Sequence, residues 1–177
     1  MKKINPSDII VLDESGSDLS QTSEYARAEG GERARAPKPH CPGNRYSIIG
    51  AISISKIVSM MYIDCAINGA IFLSFIKKLL LPKLRQGQYV VMDNINFHKQ
   101  EIVKNLVERV GAKVVFLPPY SPDLSPIEKM WSKIKEIVKR KKPRTDAEFH
   151  NALFSAAGAV SAEDLEAWYE NCGYQVK

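Results

Sequence analysis

A chain of 177 residues, 45% of them hydrophobic, suits one domain with a packed core and excludes wholesale disorder. No apolar stretch approaches the roughly 20 residues that span a bilayer, and the basic start Met1-Lys2-Lys3 lacks the apolar segment of a signal peptide. Three scattered cysteines without a CxxC pair exclude a disulfide framework and a structural zinc site, so a cytoplasmic protein without a membrane partner is expected.

Residues 8–12 read as a buried strand ending in an acidic turn, Asp13-Glu14-Ser15-Gly16. Residues 17–44, polar and rich in Ala, Gly, Arg and Pro, predict a long excursion. Residues 45–54 and 57–63 are two β-rich runs split by Ser55-Lys56, the pattern of a hairpin. Asn68 or Gly69 opens a helix to about Leu84, with Ile71, Phe72, Phe75, Leu79 and Leu80 on one face. Residues 89–92 form a short buried strand running into Asp93-Asn94. A helix over 99–110 then ends at Gly111, the residue a helix C-terminus favours. Residues 114–117 form another buried strand, closed by Pro118-Pro119. The loop 120–124 leads to a helix from Pro126 to about Arg140, and the tail 145–171 has helical periodicity in two pieces.

Three β runs, a helix, then strand–helix–strand–helix imply an α/β fold, a mixed sheet covered by helices. In the βαβ part, crossover geometry gathers strand C-termini at one edge, where loops converge. We assign residues 1–142 to the main domain and 143–177 to a helical extension of the same domain.

Charge is unevenly spread. Lys129, Lys133, Lys135, Lys139, Arg140, Lys141, Lys142 and Arg144 face only Glu136 between positions 129 and 144, a local +7 against +5 for the whole chain. Such a block is either a footprint for a phosphate backbone or a solvated helix face.

Asp13 and Asp93 each follow a hydrophobic strand. If those strands are neighbours, two carboxylates meet at close range and repel unless a cation lies between them. Hard oxygen ligands select magnesium or manganese over zinc. Taken alone, either Asp reads as a turn former before it reads as a catalytic acid. Glu128 has its own local explanation in Ser125-Pro126-Ile127-Glu128, where Ser125 is the N-cap, Pro126 the first helical residue and Glu128 the third-position acid of a capping box. Ile127, Met130, Trp131, Ile134, Ile137 and Val138 then form the core-facing stripe, and Glu128 stands beside it at the helix start.

Taken together, Asp13-Glu14-Ser15-Gly16, Gly50-Ala51-Ile52, Asp93-Asn94 with His98, and the run from Leu117 to Glu128 with Trp131 and Lys135 resemble the DDE transposases of the mariner-like superfamily. The bacterial insertion-sequence branch is the nearest in pattern. The 34 residues between Asp93 and Glu128 equal that group's spacing, and Pro118-Pro119-Tyr120-Ser121-Pro122 ahead of an acid-opened helix is specific to it. The resemblance implies an RNase H-like fold in which Asp13, Asp93 and Glu128 bind two Mg²⁺ (or Mn²⁺) ions for phosphodiester hydrolysis at element ends and 3′-OH strand transfer. Its implied partners are double-stranded DNA, with TA as target, and a second copy of the chain in a homodimer, with a nucleoid location. Lys129, Lys133, Lys135, Lys139, Arg140, Lys141 and Lys142 are the implied phosphate contacts, and Asn94 and His98 the residues that order the site or touch DNA. Tyr120 and Trp131 are assigned to packing.

Two departures stand out: Ser125 where the family usually has Asn, and no helix-turn-helix region ahead of the first acid. The second implies the catalytic half alone, from a split reading frame with a separately encoded helix-turn-helix half, from a truncated element or from an engineered piece. The alternatives are another RNase H-like metal nuclease and a non-catalytic transposase remnant that binds DNA.

Overall fold

The computed structural model describes residues 4–19, 30, 44–93, 97–118 and 121–174, with only the backbone of 97–100 and 122. Five strands form one sheet in the order β3-β2-β1-β4-β5. They are β1 (Ile9–Asp18), β2 (Arg45–Ile52), β3 (Ile57–Ile63), β4 (Tyr89–Met92) and β5 (Lys113–Phe116). β1, β2 and β3 are joined antiparallel, while β4 and β5 run parallel to β1. This is the mixed sheet read from the order of elements, and its central strand is the first.

Because side chains alternate across a strand, the sheet divides the apolar residues between two cores. Ile9, Val11, Ile48, Ile52 and Val91 face α3 (Pro126–Lys141), α4 (Asp146–Gly158) and α5 (Ala162–Asn171). Ile10, Leu12, Ile49, Ala51, Val90 and Met92 face α1 (Gly69–Phe75) and α2 (Phe97–Arg109). Helices therefore cover both faces.

β1 is longer than the sequence reading. It continues through Asp13-Glu14-Ser15-Gly16 to Asp18, so those residues are strand and not a turn. The physical reason is the partner: Arg45–Ile52 supplies ladder bonds along the whole segment, Asp13 opposite Gly50 and Asp18 opposite Arg45. β4, in contrast, ends at Met92 opposite Leu12. From Asp13 onward β1 pairs on one side only, and its alternation of polar residues suits such a ribbon.

The hairpin turn lies at Ser53–Lys56, where the Ser53 hydroxyl accepts from the Lys56 N–H at 3.2 Å. Asn68 caps α1 by accepting from the N–H groups of Ala70 and Ile71, both at 3.0 Å. Past Phe75 the helix widens to a π turn over Ile76–Leu80 and tightens to a 3₁₀ turn over Leu81–Lys83. Pro82, lacking an N–H, is one reason the regular ladder stops there. α2 ends as expected, with Gly111 at φ +76°.

Candidate active site

Asp13 is the first residue of β1 beyond its parallel pairing with β4, and Asp93 is the first residue after β4. The register ends with Leu12 opposite Met92, so each of the two acids directly follows that last pair. Asp13 has the parity of Val11 and so belongs to the face covered by α3, where it meets Trp131. The neighbouring strands β1 and β4 thus bring the two acids to the same edge of their parallel pairing.

The third acid comes from above the sheet. α3 packs through Ile127, Met130, Trp131, Ile134 and Val138, all buried, and its first turn carries Glu128 on the exposed edge of that stripe. The capping box expected at this helix is not closed. Ser125 has extended backbone (φ −113°, ψ 97°) but makes no side-chain cap bond. α4 and α5, by comparison, both close full boxes, Thr145 with Glu148 and Ser161 with Asp164.

The electrostatics tie the three acids together. Burial pushes the Asp13 carboxyl up from its ordinary 3.8 to about 6, and the negative charges of Glu128 and Asp93 push in the same direction. Two donors oppose them, the Glu14 backbone N–H and the Trp131 indole. The indole Nε1–H lies 3.1 Å from Asp13 Oδ2. Asp93 is exposed and also makes interactions of its own.

A half-buried carboxylate repelled by two others is an environment that a divalent cation would relieve, and oxygen-only donors match Mg²⁺ or Mn²⁺. The donor set therefore fits such a metal. Among the described residues no three His, Cys, Asp or Glu side chains are gathered at ligating separation.

The remaining expected residues divide. Asn94 and Tyr120 lie outside the described residues, as does the side chain of His98. In the basic block, Lys133 is tied to Asp164 at the start of α5 and Arg140 to Glu136 one turn away. Arg144 is structural, its Nη1 donating to the Leu19 carbonyl at 2.7 Å. Helical spacing sorts the rest. Lys135 and Lys139 follow Glu128 by about two and three turns and share its flank. Lys129, Lys133 and Arg140 are on the other flank, toward α5.

Two residues escaped the sequence reading as parts of this site. Trp131 does pack in the core, 2% exposed, but it also donates to an acid. A buried Trp needs a partner for its N–H, and that was the available signal. Gly50 lies opposite Asp13, and a Cβ there would sit 2.6 Å from Trp131 Cη2 and 2.9 Å from Cζ2. A glycine inside a strand marks such a close approach.

Comparison with known proteins bears on the family and the fold. Residues 8–150 match the family described as DDE superfamily endonuclease. No curated protein matches the chain. Among solved structures, the fold is similar to the Mos1 strand transfer complex (17% identity, TM-score 0.74), with 94% of this chain covering 51% of that one. It is similar to the Mos1 transposase paired-end complex with left transposon end (16%, TM-score 0.75), covering 94% and 52%. A Mos1 transposase catalytic domain with raltegravir and Mn is also similar (14%, TM-score 0.70), covering 95% and 80%. The sheet and its helices thus have the RNase H-like arrangement of the Mos1 catalytic domain. The chain spans about half the length of the fuller Mos1 chains.

Proposed function

Because the chain belongs to the DDE superfamily of endonucleases, we propose that it is the catalytic domain of a cut-and-paste DNA transposase of the mariner-like group, in its bacterial insertion-sequence branch. What supports this reading is that Asp13 and Asp93 directly follow the last paired residues of two adjacent strands, and that the charges of Glu128 and Asp93 both raise the Asp13 carboxyl. The three carboxylates offer oxygen donors only, which suits hard divalent cations and phosphate-ester chemistry.

In this reading the three acids hold two Mg²⁺ or Mn²⁺ ions. When bound, such ions supply a lowered pKa for an attacking water or DNA 3′-hydroxyl and charge stabilisation for the leaving oxygen. The residues of the chain do the rest. β1 holds Asp13, the end of β4 leads into Asp93, and the first turn of α3 carries Glu128. Lys135 and Lys139, on the Glu128 flank, are the lysines placed to hold DNA phosphates as they leave the acids. Lys129, Lys141 and Lys142 are exposed and add charge beyond that track. Asn94 and His98 order the acid edge.

The DNA ends cut are those of the element, and the target is a TA step, whose easy kinking suits strand transfer. A homodimer brings two ends together, and a helix-turn-helix half supplies end recognition. The helices of residues 143–177 form one unit with the catalytic domain, and the protein acts at cytoplasmic DNA. No described helix is long and apolar enough to cross a membrane.

Nicking of supercoiled plasmid in Mg²⁺ or Mn²⁺ tests the reading, with Asp93→Ala and Glu128→Ala alongside. We expect metal-dependent nicking that falls by at least about a hundredfold in both variants, the scale of losing a transition-state charge partner. Metal binding in a calorimeter without nicking would leave a competent site that needs its recognition half. Neither nicking nor metal binding would sink the assignment.

A further inference from the structure

Besides the Glu14 backbone N–H, a side-chain donor reaches the first acid from within the core. Asp13 Oδ2 accepts from the Trp131 indole at 3.1 Å, and Trp131 is locked against the sheet by Ile127, Met130 and Ile134 around it. The indole can lie this close only because Gly50 has no side chain. Its six-membered ring occupies the space where a Cβ would stand, 2.6 Å from Cη2. Gly50 is also the register partner of Asp13 across β1 and β2. One glycine, one indole and one carboxylate are therefore stacked across two strands and a helix, with the same helix carrying Glu128 one turn before Trp131.

We infer that Trp131 is a positioning residue for the metal site: its N–H ties one oxygen of Asp13, sets the rotation of the carboxylate and leaves the other oxygen turned toward Asp93 and Glu128, with Gly50 as the space that admits it. The inference rests on the three-acid site proposed above and deepens it. A carboxylate with an outer-shell donor is held in one orientation, and ligands so held bind metal more tightly because less freedom is lost on binding. Donation from Trp also has a mechanical consequence. Asp13 and Glu128 are linked through α3, so the spacing between sheet and helix at the acids is set by a hydrogen bond and not by apolar packing alone.

Packing and positioning separate cleanly in a chemical substitution. Replacing Trp131 by 3-benzothienylalanine exchanges the N–H for sulfur and keeps the bicyclic shape, and Trp131→Phe is the encoded counterpart. We expect Mn²⁺ affinity to fall by roughly 10- to 100-fold. The thermal midpoint of the benzothienyl protein should change little, and the turnover rate on DNA should drop while KM for DNA holds, since the indole does not reach DNA. A second readout needs no change at Trp131. The chain has two tryptophans, so two indole N–H resonances report on Trp131 and Trp168. Mg²⁺ should move the Trp131 signal alone, and Asp13→Ala should shift it upfield in the metal-free protein.

Unchanged Mn²⁺ affinity in the benzothienyl protein, or a Trp131 signal indifferent to Asp13→Ala, would overturn the positioning role and leave the three-acid site standing. Should the unsubstituted chain respond to neither metal, the site reading itself fails and the inference with it.

Discussion

Asp13 concentrates the conflict between folding and chemistry in one side chain. Its carboxyl is held at about 6, above the ordinary 3.8, by burial first and by the charges of Glu128 and Asp93 as well. A raised carboxyl gives stability that is fully present below 3.8, where both folded and unfolded forms carry the proton, and that is lost as pH rises through about 6. In chelated protein, stability should therefore decline between those values, by at most about 3 kcal/mol at 1.36 kcal/mol per unit. Asp13→Asn removes the charge while keeping an oxygen for the Trp131 N–H. We expect that variant to flatten the decline, raise the melting temperature at neutral pH by several degrees, and abolish cleavage. Urea titrations across pH with and without chelator would check it, and a variant less stable than its parent at pH 7.5 would refute it. The residue was legible as an acid after a strand, but its burial was not, because burial depends on the α3 residues packed over it.

At the scale of elements, α3 does three jobs along one axis. Its apolar stripe seals the core, its first turn carries Glu128, and its cationic residues split between two flanks. The sequence reading treated the block 129–144 as one surface. Helical geometry and the ties of Lys133 to Asp164 and Arg140 to Glu136 distinguish its members. Lys135→Ala and Lys139→Ala should each lower the slope of log binding constant against log salt by about 1 on duplex DNA. Lys133→Ala should leave the slope nearly unchanged and instead loosen α5. Filter binding between 50 and 200 mM salt, roughly the range where such slopes are resolved, would decide it. Equal slopes in all three variants would show that the block acts as undifferentiated charge. The N-terminus of α3 also departs from its neighbours. α4 and α5 close capping boxes, and α3 does not, which leaves Glu128 without the local role its sequence setting offered.

For the whole molecule, the C-terminal helices belong to the core that carries the site. Phe149 is fully buried and stacks on Tyr46 of β2 with ring centroids 4.1 Å apart. Tyr169, also buried, donates to the carbonyls of Ile52 at 3.1 Å and Ile9 at 3.3 Å, bridging β1 and β2 at the sheet end away from the acids. Phe149→Ala should cost about 3–5 kcal/mol and lower a single cooperative transition seen alike by tryptophan fluorescence and circular dichroism. Two separated transitions would mean that the tail folds apart from the sheet. What the sequence determined alone was local and periodic: five strands and their neighbouring helices, Gly111 as a stop, and the spacing of three acids around a specific Pro-rich turn, all written in patterns a few residues long. The tertiary structure decided what depends on partners. β2 kept Asp13 in a strand by supplying ladder bonds past the point where β4 stops. Gly50 opened a space that only the approach of Trp131 explains, and the indole then reached an acid 118 positions away. Hydrogen bonds and close packing of that kind join segments remote in the chain, and no short-range pattern encodes which segments will meet.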